Sequence, residues 1–420
     1  MRDNAVMQPS TTPLAERDER GWTIPAIANL HSHAFQRAMA GMAERQVDGQ
    51  DSFWTWRETM YAMAARFTPE TLHAVAAQLY AEMLEAGYST VCEFHYLHHQ
   101  PDGAAYPDPA AMSQALIQAA RDTGIRLTLL PVLYMTGGFD GRPLSPRQRR
   151  FGHRVESYLR LLQDLRAQES PLLRIGCALH SLRAVPPEAM REVLQALPQD
   201  SRIHVHIAEQ VEEVEQCVAA RGARPVRWLL ENAHVDARWT LVHATHLDAV
   251  EVRDLAACGA TVAICPTTEA NLGDGLFPLR DYLDASGSFG IGSDSHVSVS
   301  VVEELRWLEY GQRLRHQKRN IAAEAGGSVG ETLLRHVHAS AANATGFACT
   351  HEDVIVLDAD QPGLIGANAA DVADRWLFSG NRPAVKDVRV GNAWLVRAGS
   401  HVDGERILQG YRHAIATLLG

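Results

Sequence analysis

Eight short runs rich in Val, Ile and Leu, separated by stretches of helical periodicity, constrain the fold of this chain more than any other feature. They are AIANLH (26–31), YSTVCEFH (88–95), IRLTLLPVLY (125–134), LRIGCALH (173–180), RIHVHIA (202–208), WTLVHA (239–244), ATVAICP (260–266) and FGIGSD (289–294). Apolar strands alternating with helices form parallel sheets buried on both faces. Eight such units predict an α/β fold, a (β/α)8 barrel of the TIM type, with chemistry gathered at the C-terminal ends of the strands. An open doubly wound sheet is the structural alternative. Helices are signalled between the runs: 68–87 opens on Thr68 as N-cap, carries Glu70 in its first turn and stops at Gly87. The stretches 225–233 and 301–317 place apolar residues at three- and four-residue intervals.

After about residue 345 the texture changes to DVIVLDAD (353–360), VKDVRVGNAWLV (385–396) and a short final helix. The expected organisation is a barrel over 26–345 and a small, reduced β-sandwich subdomain from 1–25 plus 346–420. The first residues are a poor source of strands, being polar and holding Pro9 and Pro13, so disorder is expected over much of them.

Composition narrows the chemistry. The basic residues are 37 Arg and only two Lys, Lys318 and Lys386, and neither follows a Gly. A phosphate-cradling Gly-Lys-Ser/Thr loop is thereby excluded, and any Schiff-base chemistry would depend on these two residues. A formal charge of −11 argues against nucleic-acid or anionic-membrane partners, which need broad basic surfaces. No apolar run approaches bilayer length and the N-terminus lacks a secretory apolar stretch, so a cytoplasmic enzyme is expected. The six cysteines form no C-x-x-C pair, which removes zinc ribbons and thioredoxin-like sites.

Histidines and carboxylates stand instead at strand ends. The first run ends in His31-Ser32-His33, whose alternate residues point to one side. The fifth ends in His204-Val205-His206 with Glu209 three residues on, the sixth in His243 and His246, and the eighth in Asp294. On one barrel mouth His31, His33, His206 and Asp294 would converge into three imidazoles and one carboxylate, a ligand set for one divalent ion, zinc foremost, with a position left for water. Such an ion lowers the pKa of its water to about 7 and gives hydroxide at neutral pH. Hydrolysis then needs proton transfer. Glu209 is the candidate shuttle, His243 the base or electrostatic partner, and Asp294 both ligand and proton acceptor. His204 and His246 read as structural.

The pattern His-x-His, His with Glu three on, His, Asp resembles the amidohydrolase superfamily in its mononuclear deaminase branch. Longer motifs are NLHSHAFQRAMAG (29–41), DSFWTWRE (51–58), EFHYLHH (93–99), HSLRAV (180–185), HIAEQ (206–210), LVHATH (241–246), TEANLGDG (268–275) and GSDSHVSVSVVEELRWLEYGQRLR (292–315). These resemble the formimidoylglutamate deiminases over about residues 27–320. The resemblance implies hydrolysis of the formimino group of N-formimino-L-glutamate to N-formyl-L-glutamate and ammonia, in histidine degradation. It implies that Gln36, Arg57, Tyr96, His180 and Arg183 hold the carboxylates of this small dicarboxylate substrate, a task suited to the two-pronged guanidinium. Related barrels with two metals use a lysine on the fourth strand, where this chain has His180, which favours a single ion. TEANLGDG is expected to form the loop after the seventh strand, with Asn271 and its glycines shaping the mouth, and Trp54 and Trp56 to pack a helix. A homodimer is expected from the apolar outer helices. The rivals are another deaminase of the branch, acting on a nucleobase or guanidino compound, and a catalytically silent scaffold.

Overall fold

The computed structural model describes residues 14–45, 53–348 and 352–420. Residues 1–13 of the stretch expected to be largely disordered, with Pro9 and Pro13, Asp51 and Ser52 of the DSFWTWRE motif, the Trp54 side chain and Cys349 lie outside the described residues, whereas residues 14–25 are ordered and hold two strands.

Eight parallel strands form the barrel. In chain order they are Ile27–Ser32, Tyr88–His95, Arg126–Leu133, a fourth interrupted at Gly176 into Leu173–Ile175 and Cys177–Ser181, then Ile203–Ile207, Trp239–His243, Thr261–Ile264 and Ser288–Ile291. Each pairs with its successor, and Ile291 opposite Asn29 closes the ring. Every apolar run of the sequence supplies one of these strands, because side chains on both of their faces meet either the barrel interior or the surrounding helices. At the break, a Cβ on Gly176 would lie 2.5 Å from Leu130 Cδ2 and 3.1 Å from the Arg202 carbonyl oxygen, so a larger residue would have to displace the Leu130 side chain.

The helices start where the sequence puts caps. The Thr68 side chain accepts the Thr71 N–H and the Thr68 N–H donates to the Thr71 hydroxyl in return at the head of Pro69–Glu85, and Asp248 with Glu251 does the same for Ala249–Cys258. Each fixes the register of a helix packed against the barrel.

The appended β structure is a six-stranded antiparallel sheet. Its spatial order is Glu16–Arg17, Trp22–Pro25, Val354–Leu357, Val385–Val390, Ala393–Arg397 and Ser400–His401. The N-terminal segment thus contributes more than its polarity predicts. Trp22 and Ile24 alternate inward, and Pro25, which has no N–H to offer, closes the strand. Gly21 has φ +148°, and a Cβ there would sit 2.1 Å from the Leu357 carbonyl oxygen, so this turn requires glycine. Between the later strands lies a helix the sequence did not signal, Val372–Phe378, and the final helix, Gly404–Leu419, is longer than expected.

The sheet is fastened to the base of the barrel. Arg126, on the third strand, pairs with both oxygens of Asp353 at 2.7 and 3.0 Å, and the Asp353 carbonyl accepts the Ala26 N–H at 2.9 Å, one residue before the first strand. The final helix packs on Pro69–Glu85, where Arg66 donates to the Leu418 carbonyl at 2.6 Å.

Candidate metal centre and active site

The C-terminal ends of the strands bring the expected ligands together. His31 Nε2 stands 3.1 Å from His33 Nε2 and 3.0 Å from His206 Nε2, and Asp294 Oδ1 lies 3.4 and 3.5 Å from the first two. His33 Nδ1 donates to the Phe94 carbonyl at 2.8 Å and His206 Nδ1 to the His180 carbonyl at 2.9 Å, which leaves the lone pair of each Nε2 facing inward. Burial holds all three imidazoles below their ordinary pKa and therefore neutral, with mutual repulsion adding to it at His31 and His206. Lone pairs facing one another at 3 Å repel unless a cation lies between them. Ligand atoms about 2.0–2.1 Å from a tetrahedral ion stand roughly 3.3 Å apart, and the observed separations fit that arrangement.

The centre is stitched from behind. The Asp294 N–H donates to the His31 carbonyl at 3.0 Å, and the His33 N–H to the Asp294 carbonyl at 3.2 Å. Between the two histidines, the Ser32 hydroxyl donates to Glu93 at 2.6 Å, and the other Glu93 oxygen accepts the Ala34 N–H at 2.6 Å. Ala208, His243, Ala244, Asp294 and His296 all have φ between +46° and +68°. Non-glycine residues in this region cost of order 1 kcal/mol or more each, and such strain gathers at sites whose surroundings enforce it.

The proton-transfer candidates face this cluster. His243 Nδ1 lies 3.2 Å from Glu269 Oε1, and its Nε2 lies 3.8 Å from both Glu209 and Asp294. Burial pushes the His243 imidazole down, but the Glu209 carboxylate and hydrogen bonds to Cys265 and Glu269 outweigh it and hold the ring charged. Of the two roles expected of His243, this direction favours the electrostatic partner over the base. Burial, together with Asp294 and Glu213, pushes Glu209 up to about 7 against the pull of His243 and Arg183. Its backbone is cradled by Glu213, whose two oxygens accept the Ala208 and Glu209 N–H groups at 3.2 and 3.0 Å.

A cavity opens above, about 770 Å³ with the open solvent at its mouth included. His33, His206, Glu209, His243 and Asp294 form its floor, and all five residues expected to hold substrate carboxylates, Gln36, Arg57, Tyr96, His180 and Arg183, line it. Arg57 and Trp56 project from a helix, Phe53–Ala64, that carries them into the cavity, so Trp56 contributes to the wall in addition to packing. The Gln36 amide donates to the Tyr96 hydroxyl at 3.0 Å, while its own oxygen is buried without a hydrogen-bond partner. TEANLGDG departs from expectation. Pro266 at the first position starts a helix, Pro266–Leu272, that ends at Gly273, and its Thr268 and Leu272 line the cavity while Asn271 points outward to Glu44. His204 donates to the Ala344 carbonyl at 3.0 Å and His246 to that of Asp274 at 2.9 Å, the structural roles their positions suggested. Lys318 and Lys386 both lie away from the cavity, the latter in the antiparallel sheet.

Tyr61, Tyr134, Phe151 and Glu213 also line the cavity, and sequence reasoning did not single them out. For Glu213 a signal existed: it stands four residues after Glu209 at the opening of a helix, where a carboxylate can cap the preceding turn. The three aromatics come from separate segments, Tyr61 from the helix Phe53–Ala64 and Tyr134 and Phe151 from beyond the third strand, and share no spacing with the ligands.

A model of the amidohydrolase family matches residues 22–347. The chain is 51% identical over 407 residues to a formimidoylglutamate deiminase of Pseudomonas aeruginosa, covering 95% of this chain and 90% of that one. It is 29% identical over 333 residues to an 8-oxoguanine deaminase of the same organism, covering 76% and 71%. The crystal structure of an amidohydrolase from Brucella melitensis superposes with a TM-score of 0.90 at 43% identity, covering 95% of this chain and 90% of that one.

Proposed function

The chain belongs to the amidohydrolase family, and from that premise we propose that it hydrolyses N-formimino-L-glutamate to N-formyl-L-glutamate and ammonia. The observation that carries the reading is the placement of two guanidinium groups, Arg57 and Arg183, on the same cavity as the cluster of His31, His33, His206 and Asp294. A dicarboxylate needs such cations, and an amidine carbon needs an activated water opposite them. The name of the 51% identical relative supports the same substrate.

His31, His33, His206 and Asp294 would hold one divalent ion, zinc by the chemistry of a His3Asp set. When bound, the ion supplies a water acidified toward neutrality and a Lewis acid for the developing charge. Glu209 would accept one proton of that water as its oxygen bonds to the amidine carbon, and would pass it to the departing nitrogen. The second water proton, released from the hydroxyl as the carbonyl forms, would reach the same nitrogen through Glu209 or Asp294, so that the C–N bond breaks and ammonia leaves with the formyl oxygen in its place. The charged His243 ring donates toward the developing negative oxygen, and Glu269 fixes its tautomer through Nδ1. Asp294, at 3.8 Å from His243, orients the water proton toward the acceptor. Arg57 and Arg183 form two-pronged pairs with the substrate carboxylates, and Gln36, Tyr96 and His180 complete their hydrogen bonds.

The barrel of residues 26–345 is the catalytic domain in this reading, with the chain ends forming a supporting one. Among the described residues no helix is long and apolar enough to cross a membrane. A cytoplasmic homodimer without nucleic-acid partners completes the reading, tested by cell fractionation and sedimentation. Ammonia release from N-formimino-L-glutamate, N-formimino-L-aspartate, formamidine and 8-oxoguanine is the decisive assay. Turnover of the first by a margin of about 100-fold over formamidine is expected, as two charged recognition pairs imply. No release from either formimino acid by metal-loaded protein, or preference for the nucleobase, refutes it.

A further inference from the structure

Arg150 is 1% exposed, and its guanidinium donates to main-chain carbonyls: Nη1 to Ala64 and Nη2 to Phe67, the latter at 3.2 Å. Burial brings its pKa down to about 10, so it is a cation at neutral pH. Burying a charge is expensive unless its hydrogen bonds do something the fold needs. Ala64 and Phe67 lie at and just beyond the C-terminus of the helix Phe53–Ala64, where carbonyls have no helical partner and a cation is favoured. This helix carries Arg57 and Tyr61 into the cavity.

The backbone of Arg150 holds a second wall. Its carbonyl accepts the N–H groups of His98 and His99 at 3.1 and 3.0 Å, from the EFHYLHH loop that presents Tyr96. His99 Nε2 adds a bond to the Gly152 carbonyl at 2.7 Å, and His98 Nε2 one to Val132 at 3.0 Å. The residues beside Arg150 complete the crossing: Gln148 donates to the hydroxyls of Tyr61 and Tyr134 at 3.2 and 2.9 Å, and the Phe151 ring meets Tyr96 edge-on at 5.1 Å. Arg150 itself does not line the cavity.

We infer that Arg150 is a positioning residue for substrate recognition, joining the Arg57 helix and the Tyr96 loop into one wall and so setting affinity for the substrate carboxylates. It touches neither the substrate nor the reacting atoms. The inference rests on the dicarboxylate reading for its ligand and on the three crossing segments for its geometry. Arg57 and Tyr61 lie on the helix whose end Arg150 holds, and neither is among the candidate metal ligands or proton-transfer residues, so loss of this joint bears on recognition.

The test uses Arg150→Met, which keeps the stem and removes the donors, with Arg150→Lys as the conservative variant. In Arg150→Met, KM for N-formimino-L-glutamate is expected to rise about tenfold or more while kcat stays within about twofold, and kcat/KM for formamidine, which has no carboxylates, is unchanged. Arg150→Lys, which can still donate to carbonyls, should raise KM only about threefold. An equal proportional loss on both substrates, or a diacid KM within about twofold of wild type, overturns the inference. If Arg150→Met is not recovered folded, an unchanged KM in Arg150→Lys overturns it alone. Hydrogen exchange separates this from failure of the dicarboxylate reading. Even without diacid turnover by wild type, amides of residues 57–64 should exchange about tenfold faster in the variant, with the first barrel strand unchanged, and equal exchange in the helix overturns the inference.

Discussion

Replacing Glu209 by Gln removes one ionisable oxygen and changes almost nothing else. The side chain is 15% exposed, its backbone N–H remains bonded to Glu213, and the three histidines and Asp294 that form the candidate ligand set are untouched. A positioned general acid–base contributes about 10²–10⁴-fold. Glu209 serves two transfers in one turnover, from water and to the leaving nitrogen, so the upper half of that range applies. The expected fall in kcat is about 10³–10⁴-fold, or about 4–5.5 kcal/mol of barrier. The pH profile gives an independent sign. Glu209 is held up to about 7, chiefly by burial. Below that value the carboxyl is protonated and cannot accept the water proton; above it the group is ionised and competent. Wild-type kcat/KM should therefore rise with pH to a plateau above about 7, and the residual activity of the variant should lose that limb. Steady-state ammonia release from pH 5 to 9, with metal content measured by emission spectroscopy, reads both effects. A kcat above a tenth of wild type with the limb intact would refute the reasoning, as would loss of the bound metal, since Glu209 would then be a ligand.

Arg183→Ala should raise KM for the diacid by about 10–100-fold, the worth of a charged hydrogen-bonded pair, and leave formamidine turnover unaffected; equal effects on both would remove Arg183 from recognition. His206→Ala is expected to lose the metal together with activity, which elemental analysis of the purified variant checks. Asp353→Ala strips the partner from the buried Arg126 guanidinium and an acceptor from the Gly391 N–H, and should cost about 3–5 kcal/mol in urea unfolding monitored at the antiparallel sheet. A loss under about 1 kcal/mol would mean that water reaches the pair and screens it. Removing the metal with a chelator should lower the thermal midpoint, because an ion at about 100 times its Kd contributes about 2.7 kcal/mol to the folded state, and scanning calorimetry before and after dialysis measures it.

The barrel was legible because its information is local. A strand buried on both faces must be apolar throughout, and YSTVCEFH shows this so plainly that run and strand coincide at residues 88–95. The ligands were legible for a related reason: His31 and His33 sit at the end of such a run, and barrel geometry then fixes where they point. The remaining wall was not, because Tyr61, Tyr134, Gln148 and Arg150 meet only through loop crossings that no spacing in the sequence encodes. Trp22–Pro25 hid for another reason. Four residues of alternation fall below what periodicity can separate from chance, and its partner strand is far along the chain. TEANLGDG misled through its glycines, which terminate a helix that Pro266 begins.

The pairing of Pro25 with Val354 sets a schedule for the ribosome. The strand Trp22–Pro25 is synthesised ahead of the whole barrel, and its long-range partner follows about 330 residues later, or roughly 15–65 s at ordinary elongation rates. For that interval the strand has only Glu16–Arg17 beside it, and its other edge is unpaired directly ahead of His31 and His33. A nascent chain that stalls after the barrel has every residue of the candidate metal centre and still lacks the Asp353 carbonyl and the Val354–Leu357 strand that hold the beginning of the first barrel strand.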